Sequence, residues 1–256
     1  MTLLGTGTSQ GVPVIGCTCP VCNSPDPKDR RLRTAALLDW NGFRIAIDTG
    51  PDFRQQMLRT GTDRLDAVLM THEHNDHIIG LDDIRPFNFM QWTDMPVYAH
   101  PRVQKELRQR FSYIFAKENR YPGTPRVRLH TITKDSAWEL GGVPIQAIEV
   151  MHGKLPVLGF RFGDTAYLTD MRTIAEDEIT KLQGVRKLVV SALHHDKHHS
   201  HMNLEEALGF VARIRPEEAY LIHISHHMGR YVDIQPRLPQ GVQLAFDGLT
   251  IPVQDH

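Results

Sequence analysis

The sequence predicts an α/β protein: two sheets face to face with helices outside them, a four-layer αββα sandwich formed by residues 1–256 as one domain. Three observations lead there. Both halves of the chain carry short apolar strands that alternate with amphipathic helical stretches. Turn dipeptides such as Asn41-Gly42 and Asp247-Gly248 separate strand pairs. No Gly/Ser-rich or Pro-rich linker divides the halves. Strand count alone leaves other α/β arrangements open.

In order, Met1–Gly5 reads as the start of a strand, with no signal peptide ahead of it. Thr34–Trp40 and Phe43–Ile47 form a hairpin, Asp48–Asp52 closes it, and Phe53–Arg59 is helical. Leu65–Met70 is a buried strand. Asp82–Gln91 and Arg102–Lys117 are helical around a short strand, Met95–Ala99. Asn119–Arg126, with two prolines and a glycine, is a surface loop. In the second half, Val143–Val150 follows Gly141-Gly142, and Val157–Phe162 pairs with Ala166–Thr169 around Gly163-Asp164. Ala175–Gln183 is a helix, Lys187–Ala192 a strand, and Leu204–Arg213 a helix capped by Asn203. Ala219–Ile224 is another strand, and Leu244–Phe246 and Thr250–Val253 form a last hairpin.

The bulk numbers exclude several classes. A hydrophobic content of 41% and a charged content of 23% are ordinary for a soluble globular protein. A formal charge of −1 gives no basic field that would favour nucleic acid. No apolar run approaches the ~20 residues of a membrane span. A cytoplasmic location follows as the expectation, with a homodimer compatible.

Chemistry concentrates in Thr71-His72-Glu73-His74-Asn75-Asp76-His77, three imidazoles and two carboxylates directly after a strand. Such ligands suit zinc, manganese and iron. His72 and His74 can share one side of an extended segment. Asp76 and His77 point in different directions, so the pattern suggests two metals. It is not the helical His-Glu-x-x-His of zinc proteases, because Asp76 stands where the second histidine would be. Further strand ends carry His152, Asp170 and His223. All three cysteines fall within Cys17-Thr18-Cys19-Pro20-Val21-Cys22, a cluster that points to a metal and not to a disulfide scaffold. A structural zinc needs a fourth ligand, for which a distant histidine is natural.

On these residues the chain resembles the metallo-β-lactamase superfamily, whose His-x-His-x-Asp-His signature stands here as His72 to His77. The resemblance implies one metal held by His72, His74 and His152, a second by Asp76, His77 and His223, and Asp170 bridging both. Within the superfamily the sequence is similar to the cyclic phosphodiesterases of phosphonate degradation, through Gly5–Pro13, the three cysteines and Leu221–His226. That group implies a structural Zn²⁺ held by Cys17, Cys19, Cys22 and His226 in a loop around 16–23, which pins the N-terminal loop beside the active centre. It also implies that His201 lies beside the substrate phosphate and acts in catalysis with Asp76. Asp48, at a strand end, is a candidate acceptor orienting a ligand imidazole. Arg85 is expected to pair with Asp82 or Asp83, and His194, His195, His198 and His199 to lie in a solvated loop.

The function expected is a hydrolase with two divalent ions (Zn²⁺ or Mn²⁺, with Fe²⁺ also compatible) acting on a small cyclic sugar phosphodiester. Two alternatives share the metal core. A tRNA 3′-processing endoribonuclease would need an exosite arm, and no long insertion rich in Gly, Pro and basic residues is seen. A non-catalytic accessory protein, like that of pyrroloquinoline-quinone synthesis, would be expected to have a broken ligand set.

Overall fold

The computed structural model describes residues 1–116, 118 and 122–254. Among the described residues, fourteen strands form two sheets. The first sheet runs in the order β1 (Thr2–Gly5), β2 (Ala35–Trp40), β3 (Phe43–Ile47), β4 (Ala67–Leu69), β5 (Met95–Ala99) and β6 (Val127–Thr131). The second contains β7 (Ala137–Leu140), β8 (Val143–His152), β9 (Leu155–Phe162), β10 (Thr165–Leu168), β11 (Thr173–Ile174), β12 (Lys187–Ser191), β13 (Glu218–Ile222) and β14 (Val242–Leu244). Its spatial order is β11-β8-β9-β10-β12-β13-β14, with β7 also paired to β8.

Period-two burial sorts the side chains into three apolar layers, and three layers of core require four layers of structure. Ile45, Ile47 and Leu69 of the first sheet meet Phe160, Tyr167, Val189 and Ile222 of the second. Their neighbours Ala46 and Val68 point the other way, onto Phe53, Met57, Val103 and Leu107 of the outer helices. Leu188, Val190 and Leu221 likewise turn outward onto Ala207, Phe210 and Val211. The αββα sandwich read from the sequence is the architecture found.

The helices are α1 (Phe53–Thr60), α2 (Asn75–Ile78), α3 (Arg85–Gln91), α4 (Pro101–Arg110), α5 (Ser112–Phe115), α6 (Glu176–Thr180), α7 (Leu204–Ile214) and α8 (Tyr231–Ile234). Helix α7 carries the Asn203 cap in full: its side chain accepts from Glu206 N, and the Glu206 carboxylate accepts from Asn203 N.

Several local expectations are corrected. The helix read over Arg102–Lys117 breaks at Phe111, whose ψ of 43° is not helical, and Lys117 lies outside the described residues. Of the loop read over Asn119–Arg126, residues 119–121 also lie outside them. Strands β6 and β7 were not read from the sequence: their alternation spans only four or five residues, and its inner positions are half buried at most. A 3₁₀ turn, Leu81–Ile84, precedes α3 because Pro86 cannot donate into a continuous helix. The final hairpin is absent: β14 pairs in parallel with β13, and residues 249–251 instead run beside the N-terminus, Leu3 N donating to Leu249 O and Ile251 N to Met1 O. Backbone pairing across nearly the whole chain length overrides the local Asp247-Gly248 signal. Arg85 lies 3.6 Å from Asp82, the structural pairing expected.

Two glycines set the position of the histidine loop. Thr49 N donates to His77 O and Gly80 N to Thr49 O, both at 2.8 Å, so the loop lies flat on the end of β3. A Cβ on Gly50 would overlap the Asp76 carbonyl, and one on Gly80 would overlap the Gly50 carbonyl. Neither obstacle is a flexible side chain. Gly80→Ala is therefore expected to lower stability by about 1–3 kcal/mol, as overpacking does; an unchanged urea midpoint would refute this contact.

Candidate metal centre

The expected ligands come from the ends of strands in both sheets. His72, His74, Asp76 and His77 follow β4, His152 ends β8, Asp170 follows β10, and His223 follows β13. Asp48, Asp170 and His223 adopt positive φ of 65°, 54° and 56°. Holding a non-glycine residue there costs on the order of 1–3 kcal/mol. In each case it turns a side chain sharply off the strand end. All three are buried, as are His72 and His77.

The side chains converge. Asp170 Oδ2 is 3.2 Å from His77 Nε2, and its Oδ1 is 3.3 Å from His223 Nε2. Asp76 Oδ2 lies 3.3 Å from the same His77 nitrogen. His72 Nε2 and His74 Nδ1 are 3.0 Å apart, and the His152 ring stands 5.1 Å from the His74 ring. His201 Nδ1 is 4.0 Å from Asp170 Oδ1, too far for a hydrogen bond.

Outer partners fix which nitrogen of His72, His77 and His152 faces inward. His77 Nδ1 meets Asp48 Oδ2 at 2.7 Å, and His152 Nδ1 donates to Ser200 O at 2.8 Å. His72 Nδ1 sits 3.0 Å from the Thr71 hydroxyl, which itself donates to Asp48. Thr169 donates to Asp170 Oδ2 at 2.6 Å. The far nitrogens are left as inward-facing donors, the arrangement seen around metal-bound histidine. Asp48 thus has the neighbours expected of an orienting acceptor. Arg102 holds the Glu73 carboxylate at 2.7 Å, and Arg110 donates to Glu73 O and Asn75 Oδ1, so α4 braces the loop.

Electrostatics supplies the fit test for a cation. His77 Nε2 is buried with two carboxylate oxygens within 3.3 Å, yet it has no hydrogen-bond partner. Burial by itself would push the His77 imidazole down; the Asp170, Asp76 and Asp48 carboxylates outweigh it and raise its pKa well above the ordinary value. Burial raises Asp170, but His223 and His77 outweigh it and hold its carboxyl well below the usual range. Burial pushes His72, His74 and His223 down, leaving neutral nitrogen donors. Buried carboxylates that draw a proton onto His77 demand positive charge at their centre, and a divalent ion in that proton's place fits the donor set.

The cysteine loop forms a second cluster. His226 Nδ1 lies 3.3, 3.4 and 3.5 Å from the sulfurs of Cys17, Cys19 and Cys22. Metal–sulfur bonds of ~2.3 Å and metal–nitrogen bonds of ~2.0 Å place tetrahedral ligands ~3.5 Å apart. None of the three cysteines is in a disulfide. The thiols are unequal. A hydrogen bond from Cys22 N, aided by His226, pulls Cys19 down to about 6, while burial pushes Cys22 up to about 11. The segment just before this loop reaches the first cluster, where Thr8 Oγ1 stands 3.3 Å from His223 Nε2. Thr8, Thr71 and Thr169 had no signal of their own in the sequence. Ser200 acts through a backbone carbonyl, which no residue type could reveal.

With Asp48→Asn the fold is expected to persist, because Thr71 N still has an oxygen acceptor, while divalent-metal affinity falls ~10–100-fold. Chelator competition measures this, and wild-type affinity would remove Asp48 from its orienting role.

A two-sheet sandwich with seven inward donors at its strand ends defines a class, and the sequence comparison agrees. The chain belongs to the metallo-β-lactamase superfamily: residues 43–224 match the model described as the beta-lactamase superfamily domain. Within it the chain falls in the PhnP group, being 40% identical to a solved structure described as a new diphosphatase from the PhnP family, with a TM-score of 0.90 over 97% of this chain and 94% of that one. A curated protein from Porphyromonas gingivalis (strain ATCC BAA-308 / W83), named octanoyltransferase, is 43% identical over 249 residues, 96% of this chain and 50% of that protein. A ribonuclease Z from Mycobacterium sp. (strain KMS) is 26% identical over 175 residues, 63% of this chain and 56% of that protein. The chain thus spans about half the length of the curated relatives it matches. Divalent-metal binding goes with the superfamily fold. Among the described residues no helix is long and apolar enough to cross a membrane.

Proposed function

We propose that this protein is a metal-dependent hydrolase of phosphoric esters, acting on a small cyclic sugar phosphodiester. The observation that carries the reading is the Asp170 carboxylate, whose two oxygens face His77 and His223 while His201 stands beside it. His72, His74 and His152 would hold one ion, Asp76, His77 and His223 the other, with Asp170 shared. Zn²⁺, Mn²⁺ and Fe²⁺ all suit the mixed nitrogen and oxygen donors. Bound there, divalent ions lower the pKa of water and offset charge on phosphoryl oxygens.

This chain's own residues do the rest. Asp48, Thr71, Thr169 and Ser200 O keep the donors aimed. Burial, then the neighbouring His223, pushes His201 down to about 2, so its ring is neutral and offers one N–H and one lone pair. Its buried Nδ1 has no partner, so the ring is free to hydrogen-bond an oxygen of the phosphoryl group or of the departing alkoxide. His201→Ala is expected to retain its metals and to lose ~10²–10⁴ in rate. Metal loss in that variant would make His201 a ligand instead.

A second reading, cleavage of a diphosphate, is favoured by the 40%-identical diphosphatase. One panel on the metal-loaded protein separates the candidates: bis(p-nitrophenyl) phosphate, a cyclic ribose phosphate, a nucleoside diphosphate ester, pre-tRNA and an octanoyl thioester. Turnover of the cyclic diester is the expected result. Preference for the diphosphate would install the second reading, and activity confined to pre-tRNA or the thioester would overturn both.

A further inference from the structure

Thr6 and Thr8 stand on one short segment and serve different ends. Thr6 is buried, and its hydroxyl is used inside the protein: it donates to Asp247 Oδ1 and accepts from the Arg31 guanidinium, both at 2.8 Å. Thr8 is half-buried, and among the described residues its Oγ1 has one partner, His223 Nε2 at 3.3 Å. Ser9 and Gln10, directly after it, are exposed. The segment therefore leaves the core for solvent at Thr8.

The backbone holds Thr8 in this place. Gly7 N donates to Leu32 O, Thr8 N to Ile224 O and Gly11 N to Thr8 O, so the turn is tied to the residue that follows His223. Residue 7 must be glycine for the approach, because a Cβ there would come within 3.0 Å of Arg31 Cβ and of the Arg31 and Leu32 carbonyl oxygens.

His223 Nε2 also faces Asp170 Oδ1 at 3.3 Å, and it is the nitrogen that meets the second ion in the function proposed above. An ion there takes the lone pair that Thr8 now meets, so the hydroxyl needs another acceptor. Thr71 and Thr169 keep lasting acceptors in Asp48 and Asp170; Thr8 has none. We infer that Thr8 is a substrate-contacting residue, its hydroxyl donating to a phosphoryl oxygen on the His223 side of the centre. The inference rests on the hydrolase reading and adds a binding group to it. Ions of the zinc class take imidazole, carboxylate and thiolate, so a neutral hydroxyl serves here as a donor and not as a further ligand. A hydrogen bond to an anionic oxygen is also stronger than one to a neutral acceptor.

The test compares Thr8→Val, which keeps the shape and removes the donor, with Thr8→Ser, which keeps the donor. In the full-length protein, metal content and divalent affinity by chelator competition should match wild type in both variants. Inorganic phosphate titrated calorimetrically into the Mn²⁺-loaded proteins should bind T8V about 10–100-fold more weakly than wild type, and T8S within about threefold of it. The kcat/KM of T8V for bis(p-nitrophenyl) phosphate should fall by a similar factor, and T8S should restore it. Equal phosphate affinity in T8V and wild type, or none in either, would overturn the contact. Loss of metal from T8V would overturn it too, by making Thr8 part of what holds the ion. If T8V fails to fold, Thr8→Ala is judged by the same criteria. A wild type that turns over no phosphoric ester would defeat the hydrolase reading separately, while the phosphate titration still decides for or against Thr8.

Discussion

Asp170→Ala is expected to fold, to lose both catalytic ions and to turn over no phosphoric ester, while keeping one zinc per chain. Among the described residues the carboxylate is the single group that approaches both His77 and His223 within 3.3 Å, so its removal strips each half of the donor set of an anion at once. It also supplies negative charge beside His72 and His223, neutral buried imidazoles that bind a cation more weakly without a counter-charge. The isosteric Asp170→Asn separates charge from shape. It keeps an oxygen and the side-chain volume, and should still fail to hold two ions. Metal analysis alongside an activity assay decides this, and an Ala variant with undiminished turnover would dispose of the shared-carboxylate centre.

The second large effect is expected at the other cluster. His226→Ala removes the nitrogen that all three sulfurs approach and should abolish the zinc binding we propose for this cluster. Metal binding and ordering of the loop are linked, because unfolded ligands hold the ion far more weakly. The consequence should spread, since the cysteine loop follows directly on residues 6–12, where Thr8 meets His223 and the Thr6 and Thr8 backbone bonds Ile224. We therefore expect one zinc fewer per chain, a lower thermal midpoint, faster proteolysis within residues 10–25, and weaker binding of the catalytic ions. A variant that lost zinc without any change in proteolysis would show the loop to be held by its backbone alone.

Much of this was legible in the sequence because metal chemistry restricts residue type. His72, His74, Asp76 and His77 announce themselves by spacing, and Cys17, Cys19 and Cys22 by crowding. His152, Asp170 and His223 are visible only as polar ends of apolar strands, and their grouping required the resemblance. The left-handed backbone at Asp48, Asp170 and His223 had no counterpart in residue type, since glycine is the usual occupant. Strands β6 and β7 were missed because they are short and no position in them is fully buried, so their alternation carries little apolar signal. The final hairpin was misread because an Asp-Gly turn reports local preference, whereas residues 249–251 are fixed by partners at Met1 and Leu3.

The central claim is that a pair of divalent ions occupies the space facing Asp170. Anomalous diffraction from crystals of the protein loaded with Mn²⁺ and Zn²⁺, recorded on either side of each absorption edge, tests it most directly. Two peaks flanking the Asp170 carboxylate, one toward His72, His74 and His152 and the other toward Asp76, His77 and His223, are the predicted result. A fully loaded crystal with no peak against Asp170 would contradict it.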